Sequence, residues 1–225
     1  MTFGANHYVP VLKVKRGEKK ALQSIPPTFQ QGITPLLEIV ERKDDNAPTV
    51  DAHLKKAFND LAASIRPYLR CFLDAREIAA EGPSAADEVF SRASAAGIVF
   101  TPVTGISRSV DVAAALSHRT YGVAVRLTRG EFEGGRLAST LLAFMSRHRL
   151  APEEIDLIVD LGPVDDLVVD GVRALTDGFL AAVPDHSRWR TFTISACAFP
   201  SSMGRVNRNS YDLIERADWI AWRDG

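Results

Sequence analysis

Residues 156–162 read DLIVDLG, an apolar run with an aspartate, Asp160, set near its C-terminal end. The same design recurs in YVPVLKVK (8–15), TPLLEIV (34–40), RCFLDAR (70–76), IVFTPVT (98–104), VAVRLTR (123–129) and TFTISAC (191–197). A strand buried on both faces of a parallel sheet reads as nearly continuous hydrophobics, so a polar residue repeated at the C-terminal end needs a cause. A pocket shared by the strand ends supplies one.

Between these runs lie stretches with helical spacing. In 51–65, DAHLKKAFNDLAASI, Leu54, Phe58, Leu61 and Ile65 share a face, and Asp51 stands where an N-cap belongs. In 84–97, SAADEVFSRASAAG, Ser84 is the expected N-cap and Gly97 the expected stop. Further helices are predicted in 109–119, 136–148 and 164–183. This alternation predicts an α/β fold whose parallel strands are joined by right-handed crossovers, in either a barrel or a doubly wound sheet. No G-x-G-x-x-G or G-x-x-x-x-G-K-[ST] follows any run, which weighs against a nucleotide-binding sheet.

Side-chain parity favours the barrel, because each barrel strand has one inward set. Counting back by two from the polar endings gives Val9, Val11, Lys13 and Lys15; Thr34, Leu36 and Glu38; Phe72, Asp74 and Arg76. The later runs give Val99 and Thr101; Ala124 and Arg126; Ile158 and Asp160; Thr193 and Ser195. These sets pass from apolar or small side chains to a polar mouth. The predicted fold is a TIM-like barrel of about seven to eight parallel strands, in one domain spanning 1–225, since the Pro/Gly/Asp-rich pieces are short and fall where strand-to-helix loops belong. The stretch 211–225, YDLIERADWIAWRDG, reads as a helix with Leu213, Ile214, Ala217, Ile220 and Ala221 on one face, or as a short helix running into an eighth strand, WIAW.

The chain has 225 residues, 46% hydrophobic and 24% charged, enough for a sizeable core. Its 27 basic and 28 acidic side chains give a formal net charge of -1, which argues against a non-specific nucleic-acid binder. A nucleic-acid role through Arg205 and Arg208 with nearby Arg188 and Arg190 ranks third among the readings. Cys71 and Cys197 stand far apart, with no CxxC spacing and no disulfide framework, as expected of a cytoplasmic protein. No run approaches the roughly 20 apolar residues of a membrane span, and the N-terminus lacks a long apolar signal core.

Barrel enzymes carry their active residues at the C-terminal strand ends. The expected cluster is Lys13, Lys15, Glu38, Asp74, Arg76, Thr101, Arg126, Asp160 and Ser195. Glu38, Asp160 and Asp74 are its candidate catalytic carboxylates, and Lys13, Lys15, Arg76, Arg126, Ser195 and Arg205 its candidate ligand-binding groups, for a small phosphate- or carboxylate-bearing ligand. Hydrolase or lyase chemistry would use Glu38 or Asp160 as base. An ion-pair layer that merely closes the barrel top is the structural alternative.

The loop 198–210, AFPSSMGRVNRNS, adds Ser201, Ser202, Gly204 and Arg205, either as a phosphate loop or as a solvated connection. No metal or cofactor is expected. The five histidines form no H-x-H or H-E-x-x-H pattern, and the cations near Glu38, Asp74 and Asp160 argue against a divalent ion. Trp219 and Trp222 are core residues if the C-terminal helix is buried, or a docking surface for another chain if it is exposed.

YVPVLKVKRGEKKAL followed by ITPLLEIV resembles the opening of the beta protein family of phage and bacterial genomes, in which Y-x-P-[IV]-L-K-x-K-x-G-E precedes P-L-[IL]-E-[IV]. CFLDAR, VAVRLTR, LIVDLG, SACAFP and RADWIAW are similar to later family segments, so the resemblance covers most of the chain. It implies a barrel associated with phage or mobile elements, with no reaction attached, and draws attention to Lys13, Lys15, Gly17, Glu18, Glu38, Asp74, Arg126, Asp160 and Pro200. Members continue past the Trp segment into a G-D-Y-containing stretch that this sequence lacks. If that stretch forms the family's last strand, the resemblance implies a barrel incomplete at its C-terminal end and open between first and last strands, with homo-oligomerisation, a protein partner or a gap filled by WIAW itself as the consequence. A non-catalytic interaction module in phage–host conflict is the alternative function.

Overall fold

The computed structural model describes residues 3–4, 6–43, 49–200, 202, 204 and 206–224. Seven parallel strands run in sequence order: β1 (Val11–Lys13), β2 (Leu36–Glu38), β3 (Cys71–Asp74), β4 (Phe100–Thr104), β5 (Val123–Thr128), β6 (Ile155–Pro163) and β7 (Thr191–Cys197). Each pairs with the next, and together they form a nearly closed barrel with one unsealed seam. Among the described residues no ladder joins β7 back to β1.

Strand alternation separates the apolar side chains into two bodies. Leu36, Phe72, Val103, Ala124 and Ile158 are buried together inside the barrel, with Phe3 and Val9 against them. Their sequence neighbours Leu37, Leu73, Val125, Leu157 and Val159 point the other way and join the larger core beneath the helices. The inward parity read from the strand endings therefore holds from β1 to β6, and near-continuous hydrophobicity follows because both faces are covered.

Several helices depart from their sequence reading. The stretch 51–65 is broken into Val50–Phe58 and Leu61–Ile65, because Asp60 takes a left-handed conformation with φ 59°. The first of these is capped by Thr49, whose hydroxyl accepts from Ala52 N at 3.1 Å, rather than by Asp51. Ala85–Ala95 begins after Ser84, whose side chain makes no capping bond, and stops before Gly97 with φ 68°. Leu137–His148 matches its expected span closely, whereas Val169–Ala182 begins late, after an extended turn from Val164. No helix among the described residues is long and apolar enough to cross a membrane.

The C-terminal stretch resolves toward helix, over Ala217–Arg223 alone, packed on Val169–Ala182; WIAW lies within it and adds no strand. Leu213 is not on its buried face but 89% exposed, next to Tyr211 at 92%. The described residues between Ala198 and Arg216 form no helix or strand. At the seam, Val11 has inward parity and is still 36% exposed, and Thr193 Oγ1 on β7 is buried with no hydrogen-bond partner among the described residues.

Candidate functional site

Arg126 is the hub of the barrel mouth. It is in register with apolar Ile158, and its guanidinium reaches past that level to the carboxylates at three strand ends. Nη1 donates to Glu38 Oε1 at 2.7 Å and to Asp74 Oδ2 at 2.8 Å, while Nε and Nη2 donate to Asp160 Oδ2 at 2.9 and 2.6 Å. Burial opposes the arginine's charge, but the surrounding Asp74, Asp160 and Glu38 outweigh it and hold its pKa above the usual value.

Each carboxylate has further partners, and these set the groups apart. Asp74, fully buried, also receives Arg108 in bidentate form at 2.7 and 3.2 Å and the Arg76 backbone N–H at 3.0 Å. Burial would raise its pKa; Arg108 and Arg126 more than offset this and keep it below the ordinary carboxylate range. Asp160 Oδ1 accepts from Ser195 Oγ at 3.0 Å and Gly162 N at 2.9 Å. Glu38 is different. Its Oε1 is bonded to Arg126, but Oε2 has no hydrogen-bond partner among the described residues, and the side chain is 15% exposed.

The structure thus brings Glu38, Asp74, Arg126, Asp160 and Ser195 together. It adds Arg108, from the loop after β4, which the sequence reading missed. Gly105 makes room for it: a Cβ there would lie 3.1 Å from Arg108 Nε and from Arg126 O. Asp111, beneath Arg108, is bonded to Thr104 Oγ1 at 2.5 Å, and burial pushes its pKa up.

Lys13, Lys15 and Arg76 do not join this network. Lys13 pairs at 3.0 Å with Glu77 at the exposed rim, and among the described residues Lys15 and Arg76 make no ion pair and are exposed. Their extra carbons carry the charges out to solvent, whereas the shorter carboxylates remain on the floor. Arg205 and Ser201 lie outside the described residues. Beside the rim, a depression of about 280 Å³ is lined by Ser107, Glu131, Glu133 and Arg136.

Thr101 lies elsewhere. It sits at the N-terminal end of the barrel, where Arg70 Nη1 donates to it at 3.2 Å, because β4 pairs Thr101 with Phe72, one inward step below Asp74. This end has its own ionic layer. Asp156, fully buried, receives Arg70 at 2.8 and 3.3 Å, Arg190 at 3.0 and 2.5 Å and Thr191 Oγ1 at 2.7 Å. Arg190 passes over Gly122, where any Cβ would collide with the guanidinium. One member of the basic grouping is therefore committed to a buried ion pair, and Arg188 pairs with Glu153 at 3.2 Å.

At the mouth, a guanidinium bridges the carboxylates, and no metal-binding group of His, Cys, Asp and Glu is assembled among the described residues. What the arrangement offers, among the described residues, is an electrostatic floor with one open carboxylate oxygen, below a rim of exposed cations. The family model described as Beta protein matches residues 8–224. No curated protein matches the chain.

Proposed function

Since the chain belongs to the beta protein family over nearly its whole length, we propose that its barrel mouth binds a small phosphate- or carboxylate-bearing ligand. The ligand's anionic group engages Lys13, Lys15 and Arg76 at the rim, and a hydroxyl or amine at its other end meets Glu38. The open Oε2 of Glu38 carries this reading. Asp74 and Asp160 already accept on both oxygens, so Glu38 is the carboxylate left able to take a proton or a hydrogen bond from a bound molecule. In a hydrolase or lyase reaction Glu38 is the base, held by Arg126, while Asp74 and Asp160 fix the arginine.

Calorimetric titration with inorganic phosphate, pyrophosphate and small dicarboxylates tests the reading. Lys15→Ala with Arg76→Ala should weaken binding of at least one of these probes by about tenfold or more, roughly 1.4 kcal/mol, without shifting the melting temperature. Absence of binding by all probes, or binding indifferent to both substitutions, sinks the proposal.

A second reading, a protein-contact module, draws on the C-terminal surface. Trp219 and Trp222 have ring centroids 5.0 Å apart and are 53% and 60% exposed. Loss of cellular function from Trp219→Ala, with Glu38→Gln and Arg76→Ala unaffected, favours this reading over the first.

A further inference from the structure

At the unsealed seam, the half of β7's backbone hydrogen-bonding groups that face away from β6 have no strand partner among the described residues. Such an edge is a template for another strand. Sheet edges are usually blunted by charge, proline or short length; β7 reads TFTISAC over Thr191–Cys197, with no charge and no proline. Ile194 is 40% exposed along it, and the buried, unpartnered hydroxyl of Thr193 belongs to its inward set.

The chain also carries a segment with the form of the missing strand. The described residues of 199–216 form no helix or strand, and the two ends of this arm meet. Ala198 and Ala217 are both buried against the same cavity of about 170 Å³. Beyond the turn closed by Ser210 N–H to Asn207 O at 3.1 Å comes SYDL, Ser210–Leu213, in which Tyr211 and Leu213 alternate with polar Ser210 and Asp212. An apolar set and a polar set on opposite sides are what a strand at this position requires.

We propose that two copies exchange these arms about a two-fold axis, Ser210–Leu213 of each entering the seam of the other as an eighth strand parallel to β7. Its four residues equal the length of β3 and exceed β1 and β2 by one. Tyr211 and Leu213 turn outward and become covered, Ser210 falls level with Thr193 and supplies the hydrogen-bond partner its hydroxyl lacks, and Asp212 rises to the level of Lys13 and Ser195. The partner copy thereby contributes a carboxylate to the mouth, opposite a rim lysine. The interface is self-complementary, as a closed dimer demands. The proposal does not depend on ligand binding.

Sedimentation and light scattering over a range of concentrations should show a dimer. Tyr211→Ser with Leu213→Ser should weaken it by about tenfold or more while leaving the circular dichroism of the monomer unchanged, since both side chains are exposed in the single chain. A chain monomeric at every concentration, or a dimer indifferent to both substitutions, overturns the proposal. Oxidation of Thr193→Cys with Ser210→Cys, in a Cys197→Ser background, checks the register: a disulfide-linked dimer on a non-reducing gel is expected. A monomer whose new thiols have paired within one chain, or have stayed free, overturns the exchange.

Discussion

Arg126 binds three carboxylates at once, and little water reaches the group to replace it. Removing one partner of a buried ion pair typically costs about 3–5 kcal/mol, because the others are left charged and unpaired. Arg126→Met is therefore expected to lower the unfolding free energy by about that amount, read from urea melts at neutral pH. Asp74 fixes how the cost depends on acidity. Its folded pKa lies below the unfolded value of roughly 3.9, so its contribution is fully present above that value and is lost as the pH falls through the folded pKa. The destabilisation by Asp74→Asn should be large at pH 7 and shrink steadily below roughly pH 4; a difference that does not change with pH would contradict the ion-pair assignment. Glu38, Asp74, Arg126, Asp160 and Ser195 were legible because a period of two is local and survives into the barrel. Asp156 carries the same parity as Asp160 in the same run and could have been reached by counting two steps further back. Arg108 was not legible, since a loop residue has no period and is placed by the contact it makes.

Elements were less legible than residues where two local preferences compete. The apolar face of 51–65 is continuous, and its residues Leu54, Leu61 and Ile65 are indeed buried, but Asn59 and Asp60 favour a left-handed turn over helix and break it. The break leaves Thr49 as the cap of only the nine residues Val50–Phe58. Thr49→Ala should cost about 0.5–2 kcal/mol by thermal or urea melting, whereas Asp51→Ala should cost less, the side chain being exposed at the helix surface. Strand β4 shows the same limit in register. The parity of Thr101 was right, but parity does not say how far along the barrel axis a residue stands, and strand stagger placed it at the opposite end from Asp74.

For the whole molecule, the sheet has a centre and two edges. Amides of β3 to β6 should exchange with solvent only through global unfolding, while β1 and the seam side of β7 exchange through local opening. Deuterium uptake at low urea checks this, and equal protection of all seven strands in the monomer would contradict the open seam. Arm exchange adds a second signature: β7 protection should rise with protein concentration. The barrel form itself was legible because strand–helix alternation recurs along the whole chain and the polar strand endings share one inward parity, whereas the seam concerns a pairing between distant ends and leaves no local trace. That same consecutive order bears on how the chain folds. Among the described residues every ladder joins strands adjacent in sequence, so each step closes only the loop of a single crossover, and none brings the first strand to the last. Assembly can start at any strand pair and spread outward by neighbours, leaving the barrel's rim for last.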